Sequence, residues 1–342
     1  MAEKAPNPPS GFDPHLSFLQ TDSMTPTDWP SLAPQIALAP RLFGSRGATL
    51  LGRWFDAQVD RVTDPAFARL FSDNIDLPGI AAADFNHRLV RTNQGNLLGG
   101  IRFYGHDLAR PFVEVVAHSF TDLHLLARCV SSEWSAFAPL HARLITAPGS
   151  RFPAHAFVDM SIHVARYVDM TLPDTRVSLA RFLSVDAAAD LVIDRYRDLA
   201  RAQPSLAQNI SAATVDDLRQ WHAADQIRAI RTQIDGTETT VGLLAIAPGS
   251  VEWIEGDVVN EEVVATRHSG KGYAASAQRQ WAARADIDQD RLLIGTIDGR
   301  NTASRRSAVR AGRPALLAYT FLPLTGPSAA TKAPKRAHPH RR

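Results

Sequence analysis

The chain has 342 residues and a single cysteine, Cys129. An internal disulfide and any cysteine-based metal cluster are therefore excluded, and Cys129 reads as a small apolar residue on a helix. Long apolar runs are also missing. None approaches the roughly 20 residues that cross a bilayer, and residues 1–11 lack the apolar core of a signal peptide, so a cytoplasmic protein without a membrane partner is expected. Charge of one sign is lacking too. The formal net charge is +2, and five cations (Lys332, Lys335, Arg336, Arg341, Arg342) crowd the last eleven residues, leaving −3 on the rest. No basic face for nucleic acid is built from that balance, and the tail has no aromatic on which a base would stack. The twelve histidines include no H-x-x-x-H pair, and no G-x-S-x-G elbow is present. Neither a metal site nor a serine hydrolase is expected.

What is present is concentrated in residues 261–313. An apolar run ending in Val263-Val264-Ala265 leads into Arg267-His268-Ser269-Gly270-Lys271-Gly272-Tyr273, and a second apolar run, Leu292-Leu293-Ile294-Gly295-Thr296-Ile297, follows. This pattern predicts strand, glycine turn, helix and strand. A helix that starts at such a turn leaves backbone N–H groups unpaired beneath the positive end of its dipole, which suits an anion. Gly270 and Gly272 admit a phosphate close to the backbone, and Arg267 and Lys271 add charge. A dinucleotide site is the competing reading, but Asp286 and Asp288 fall in the loop before the next strand. That reading also leaves unexplained the helix predicted from Asn301 to its closing Gly312.

Arg267, Gly270 and Gly272 with Asn301, Ser304 and Gly312 resemble the motifs of the GNAT superfamily of acyl-CoA-dependent N-acyltransferases. The resemblance covers residues 176–324. It implies an α/β fold with a mixed, mostly antiparallel sheet flanked by helices, and an acyl-CoA, most simply acetyl-CoA, as cosubstrate with no metal. It implies an N-acyltransferase acting on the primary amine of a small molecule or peptide; a non-catalytic acyl-CoA-binding protein, or an enzyme for longer or carrier-bound acyl groups, is the alternative. Cofactor contacts would come from Val264, Arg267, His268, Ser269, Gly270, Lys271, Gly272, Tyr273, Asn301 and Ser304. The family's position for a proton-accepting carboxylate falls on Glu261, with Glu262 on the opposite face and Glu255 and Asp257 in reserve. The family's tyrosine acid is replaced by Ala308 and its closing aromatic by Arg313, which leaves Tyr319 on the next strand as the substitute acid. Residues 203–222 would shape the acceptor pocket.

The chain divides, on this reading, into a proline-rich leader (1–45) that is extended, an N-terminal α/β domain (46–172), an acyl-CoA-binding domain (173–326) and a disordered basic tail (327–342). In the N-terminal part the periodicity predicts helices over 48–59 and 65–71, strands over 97–104 and 111–117, a helix over 122–137 and a strand over 140–146. That order is also that of a GNAT core, so tandem GNAT-like domains are expected. The first would be degenerate, because its turn at residues 119–122 has no glycine and carries Asp122 where a pyrophosphate would lie. In the C-terminal part helices are predicted over 185–201 and 214–223, strands over 176–182, 226–235 and 239–247, and two further strands over 251–257 and 258–265.

Overall fold

The structure, a computed structural model, describes residues 24–324. The expected disordered tail and the first half of the leader lie outside them. In chain order the elements are α1 (Ala33–Phe43), α2 (Arg46–Asp60), α3 (Pro65–Ser72), β1 (Arg88–Thr92), β2 (Gly95–Phe103), β3 (Pro111–His118), α4 (Leu123–Glu133), β4 (His141–Thr146) and β5 (Phe157–Arg166). They continue with β6 (Ser178–Ala180), α5 (Val185–Ala202), α6 (Pro204–Ala207), α7 (Val215–Ala223), β7 (Ile227–Ile234), β8 (Thr237–Val251), β9 (Ile254–Val264), α8 (Tyr273–Ala282), β10 (Leu292–Asp298), α9 (Thr302–Arg310) and β11 (Ala315–Pro323). No helix among the described residues is long and apolar enough to cross a membrane.

All the strands join one sheet in the order β1-β2-β3-β4-β11-β5-β10-β9-β8-β7-β6. Only β3–β4 and β9–β10 are parallel, and each of these pairs is linked through a helix, α4 and α8 respectively. The fold is thus mixed α/β with a mostly antiparallel sheet flanked by helices. The middle of the sheet is an exchange. β5 follows β4 in the chain but pairs with β10, and β11 follows β10 through α9 but pairs with β4; β5 and β11 then pair with each other. Reading outward from that central pair, the two halves repeat one pattern, and the sheet passes the expected boundary at 172/173 without a break.

Alternation along the strands sorts the cores. Leu293 of β10 packs with Ala275, Ala277 and Trp281 of α8, whereas its neighbours Leu292 and Ile294 pack with Leu38 and Leu42 of α1 and with Tyr319. One face therefore carries α3, α4, α8 and α9, and the other carries α1, α2, α5 and α7.

Two expectations are corrected. The described part of the leader is helical, because most of its prolines sit where helices accept them: Pro26, Pro30 and Pro34 occupy first-turn positions whose N–H groups have no helical partner in any case, while Pro40 is carried inside α1. Trp29 and Leu32 are buried at 3% and 1% exposure, so this segment belongs to the core. The separate strand expected over 251–257 does not form. β8 runs on to Val251, the chain reverses at Glu252 (φ 54°), and β9 begins at Ile254. β1, β5 and α1 were not foreseen.

Because each half lends its last strand to the other, neither has a complete sheet alone. Residues 1–174 and 175–342, produced as separate chains, are expected to lack cooperative melting transitions individually and to co-purify as a folded pair when produced together. A sharp melting transition of either piece by itself would show that the exchange is dispensable.

Candidate active site

The site begins where β9 and β10 part. Their parallel register holds only at Leu293↔Asp257 and Ile294↔Val258, and residues 259–264 and 295–298 then run apart. A bulge drives the separation: Ala245 faces Glu261 and Ile246 faces Val259 across β8–β9, so Asn260 is the extra residue that bends β9. Beyond the splay, a 3-10 turn at Thr266–His268 leads to Gly270 (φ 80°) and Gly272 (φ 81°), and α8 starts at Tyr273. These positive φ values are the reason for glycine here. No hydrogen bond among the described residues uses the amide N–H groups of residues 270–274. They face a cavity of about 490 Å³ that is also lined by Arg195, Lys271, Arg306 and Arg310.

A second cavity of about 380 Å³ continues this groove and shares Arg195, Gln203, Glu262, Ser304 and Arg306 with it. Asn301 lines the second part and caps α9, its Oδ1 accepting the Ser304 N–H at 3.1 Å. The structure thus brings together Val264, His268, Ser269, Gly270, Lys271, Gly272, Tyr273, Asn301 and Ser304 along one groove. Arg267 turns to a neighbouring depression beside α5, and its Nε donates to His268 Nε2 at 3.0 Å. Burial, with Arg267 and Lys271 nearby, lowers the His268 pKa, so the ring is held neutral.

Two expected catalytic groups lie elsewhere. Glu261 points to the α5–α7 face, where its carboxylate accepts from Ala213 N (3.0 Å), from Tyr196 Oη (3.3 Å to each oxygen) and from Glu262 N (3.2 Å). It lines neither part of the groove and pins the loop before α7. Tyr319 is three strands from β9, roughly 14 Å at the usual strand spacing, because β5 stands between β10 and β11. Its hydroxyl donates to Glu252, and burial pushes its pKa well above the ordinary tyrosine value. Of the reserve carboxylates, Asp257 pairs with Arg291 at 2.7 Å and Glu255 with Arg53 at 3.5 Å, so both are engaged away from the groove.

The carboxylate on the groove is Glu262. Gln278 of α8 donates through Nε2 to both of its oxygens (2.8 and 3.0 Å), and Gln278 Oε1 accepts from Arg313 Nε at 3.0 Å. Burial raises the Glu262 pKa, opposed by the Gln278 hydrogen bond and the Arg313 charge. Burial likewise pulls Arg313 down to about 10. Arg313, 2% exposed, lies across Gly295 of β10, where a Cβ would come within 2.9 Å of its Nη1. The departure from the family's aromatic at this position was visible in the sequence; its partner Gln278 carried no local signal, since it is defined only by the packing of α8 on β9.

The matching place in the other half is closed. β3 and β4 pair from Phe112↔His141 to Val115↔Leu144 and then separate, but His118 N donates to Ser31 Oγ at 2.7 Å, and Trp29 and Leu32 pack on Val116 and Ala117. The start of α4 is capped by Asp122, whose Oδ1 accepts the His124 N–H at 2.7 Å. One splay is open and cationic, the other filled.

Burial raises the pKa of Glu261 against the three hydrogen bonds it accepts. The folded state therefore holds that proton more tightly than the unfolded chain, so stability is present at low pH and is lost as pH rises from about 4.3 through the raised folded value. In Glu261→Gln the margin by which the wild type exceeds the variant should shrink over this interval. Chemical denaturation at a series of pH values from about 4.5 to 8 measures it; parallel curves would show that the carboxyl is not titrating there.

No model of a known protein family matches the chain, and no curated protein matches it. Among solved structures, it is similar to a GCN5-related N-acetyltransferase from Sphaerobacter thermophilus, at 14% identity and a TM-score of 0.44, over 89% of this chain and 95% of that one. It is similar to a GNAT-family acetyltransferase from Colwellia psychrerythraea, at 12% identity and a TM-score of 0.39, over 78% and 95%. A tandem GNAT protein from the clavulanic acid biosynthesis pathway is similar at 12% identity and a TM-score of 0.36, over 78% and 97%. At these identities and TM-scores the likeness decides nothing about activity, which has to be argued from the chain's own residues. Along most of its length, then, the chain is similar to solved acetyltransferases of the GNAT type.

Proposed function

We propose that the chain is an acyl-CoA-dependent N-acyltransferase, most simply an acetyltransferase, acting on a primary amine. The observation that carries this reading is the open start of α8. Its free amides and positive-φ glycines meet a cavity edged by Arg195, Lys271, Arg306 and Arg310, and that cavity runs on to the splayed end of β9. A pyrophosphate fits the first feature: it accepts from several N–H groups at once, and each charge-assisted hydrogen bond contributes about 1.5–3 kcal/mol. The second part, past Asn301 and Ser304, suits a pantetheine arm that ends in the thioester.

In this reading the thioester lies against the backbone of residues 262–264, whose separation from β10 leaves room for it. The amine nitrogen attacks the carbonyl carbon, the C–S bond breaks, and the proton lost from nitrogen passes to the Glu262 carboxylate, directly or through a water. It then goes on to the leaving thiolate, so the products are an amide and a free thiol and Glu262 is restored. Gln278 and Arg313 hold Glu262 in place during this cycle.

Isothermal titration with acetyl-CoA tests the binding step. The wild type should bind, and Gly270→Ala, which places a methyl in the left-handed region beside the phosphates, should weaken binding about tenfold while lowering the melting temperature by only the few degrees that about 1–2 kcal/mol of left-handed strain costs. Absence of heat with the wild type at millimolar acetyl-CoA would end the proposal.

Thiol release with a panel of amines tests the chemistry. Glu262→Gln is expected to lower the rate by roughly 10²-fold while acetyl-CoA affinity holds, and its loss should remove a rising limb placed above the ordinary glutamate range. Glu261→Gln should keep its rate within a few fold, because that carboxylate is engaged by Ala213, Tyr196 and Glu262 N and lines neither part of the groove. The second reading, a non-catalytic acyl-CoA binder, is favoured by Ala308 and by the burial of Tyr319; acetyl-CoA binding without thiol release for any amine would select it.

A further inference from the structure

Beyond the turn that carries Asn301, on the side away from the groove, lies a separate cavity of about 480 Å³ that meets the groove only at Arg300. Its position follows from the strand exchange, since its walls come from the start of β5, the ends of β10 and β11, and the starts of β3 and β4. Aromatic side chains dominate it. His141 stands 5.0 Å from Phe321 between ring centroids, Phe112 5.3 Å and Phe157 5.4 Å, and Tyr104 closes the row at 6.2 Å from Phe112. Phe157 is 44% exposed, an apolar ring left open at the mouth.

Two carboxylates sit among these rings. Asp298 is satisfied, with Oδ1 accepting the Arg300 N–H at 2.7 Å and Oδ2 accepting Asn209 Nδ2 at 3.0 Å. Asp159 is less well served. Its side chain is 3% exposed, its Oδ2 makes no hydrogen bond of ordinary geometry, and the groups beside the carboxylate are the Tyr104 hydroxyl and Arg143 at 3.5 Å, which is itself held by Glu114 at 2.7 Å. A buried carboxylate so weakly compensated is costly, and a cationic ligand would relieve the cost. The cations at the rim are already committed: Arg110 donates to Gln208 O (3.2 Å) and Asn209 Oδ1 (2.7 Å) and lies over Tyr104, and Arg300 donates to Ser205 O (3.0 Å).

We infer that this cavity is a binding site, separate from the groove, for a primary amine with an aromatic body, the ammonium directed to Asp159 and the ring laid against Phe157 and Phe321. A cation among aromatic rings gains from their negative faces as well as from the carboxylate, and an apolar body covers the exposed ring.

Phenethylamine is the probe, titrated calorimetrically into the full chain without acyl-CoA. It should bind saturably, while 3-phenylpropionate, of like shape and opposite charge, and propylamine, without the ring, should each bind at least about tenfold more weakly. Asp159→Asn and Phe157→Ala should each weaken phenethylamine about fivefold or more and leave the acetyl-CoA titration unchanged; Phe157 is exposed, so that variant keeps its fold even if the buried aspartate proves structural. No saturable binding by the wild type, equal binding of 3-phenylpropionate, or unaltered affinity in both variants would overturn the inference. Phenethylamine binding in a protein that ignores acetyl-CoA would leave the cavity standing and remove only the acyltransferase reading.

Discussion

The pairing of β5 with β11 is the constraint from which the rest of the molecule follows. It joins two similar halves into one sheet, and it does so by placing a strand of the first half beside β10 and a strand of the second beside β4. The groove inherits a support from that exchange. β5 carries His163, whose Nδ1 lies 2.9 Å from the Arg313 carbonyl oxygen, so the residue that steadies Gln278 and Glu262 is itself steadied from the other half. The aromatic cavity exists for the same reason, as strands from both halves end around it.

The two halves show how one scaffold is opened or closed by small means. Each has a parallel pair that splays and a helix that starts beyond the splay. In the second half the bulge at Asn260, two glycines of positive φ and unpaired amides leave the start of α8 open to the groove. In the first half a serine from the N-terminal segment takes the last strand amide, a tryptophan and a leucine fill the space, and an aspartate caps the helix. Each of these features is an internal contact, so the closed half gains packing that the open half gives up at its groove.

Local features were legible in the sequence, and non-local ones were not. The glycine turn, the cap at Asn301 and most of the strands and helices are set by neighbours in the chain, and their residues can be read in order. That Glu261 and Glu262 face opposite sides follows from strand alternation, but which side faces the groove depends on where α5, α7 and α8 pack. Tyr319 looked near the site because β11 follows α9; the intervening β5 comes from a residue range more than a hundred positions earlier. The prolines of the leader suggested extended chain by their density, whereas Pro26, Pro30 and Pro34 stand in first turns, which helices accept, and α1 carries Pro40 in its interior. Arg313 was visible as a departure from an aromatic, but its meaning required Gln278, on a helix that sequence alone does not orient.

The exchange also fixes the order in which the molecule can be completed during synthesis. β4 leaves the ribosome with an edge that no strand then available can fill, since its partner β11 lies some 170 residues further on, as in the pairing Thr146↔Ala318. Contacts of such sequence separation close late and slow the search for the native state. Until the last strand emerges, the first half carries an unpaired strand edge beside a largely formed core, a condition that favours wrong pairings between neighbouring chains. The finished sheet buries that edge at its centre, so the hazard belongs to the nascent chain and is absent from the mature one.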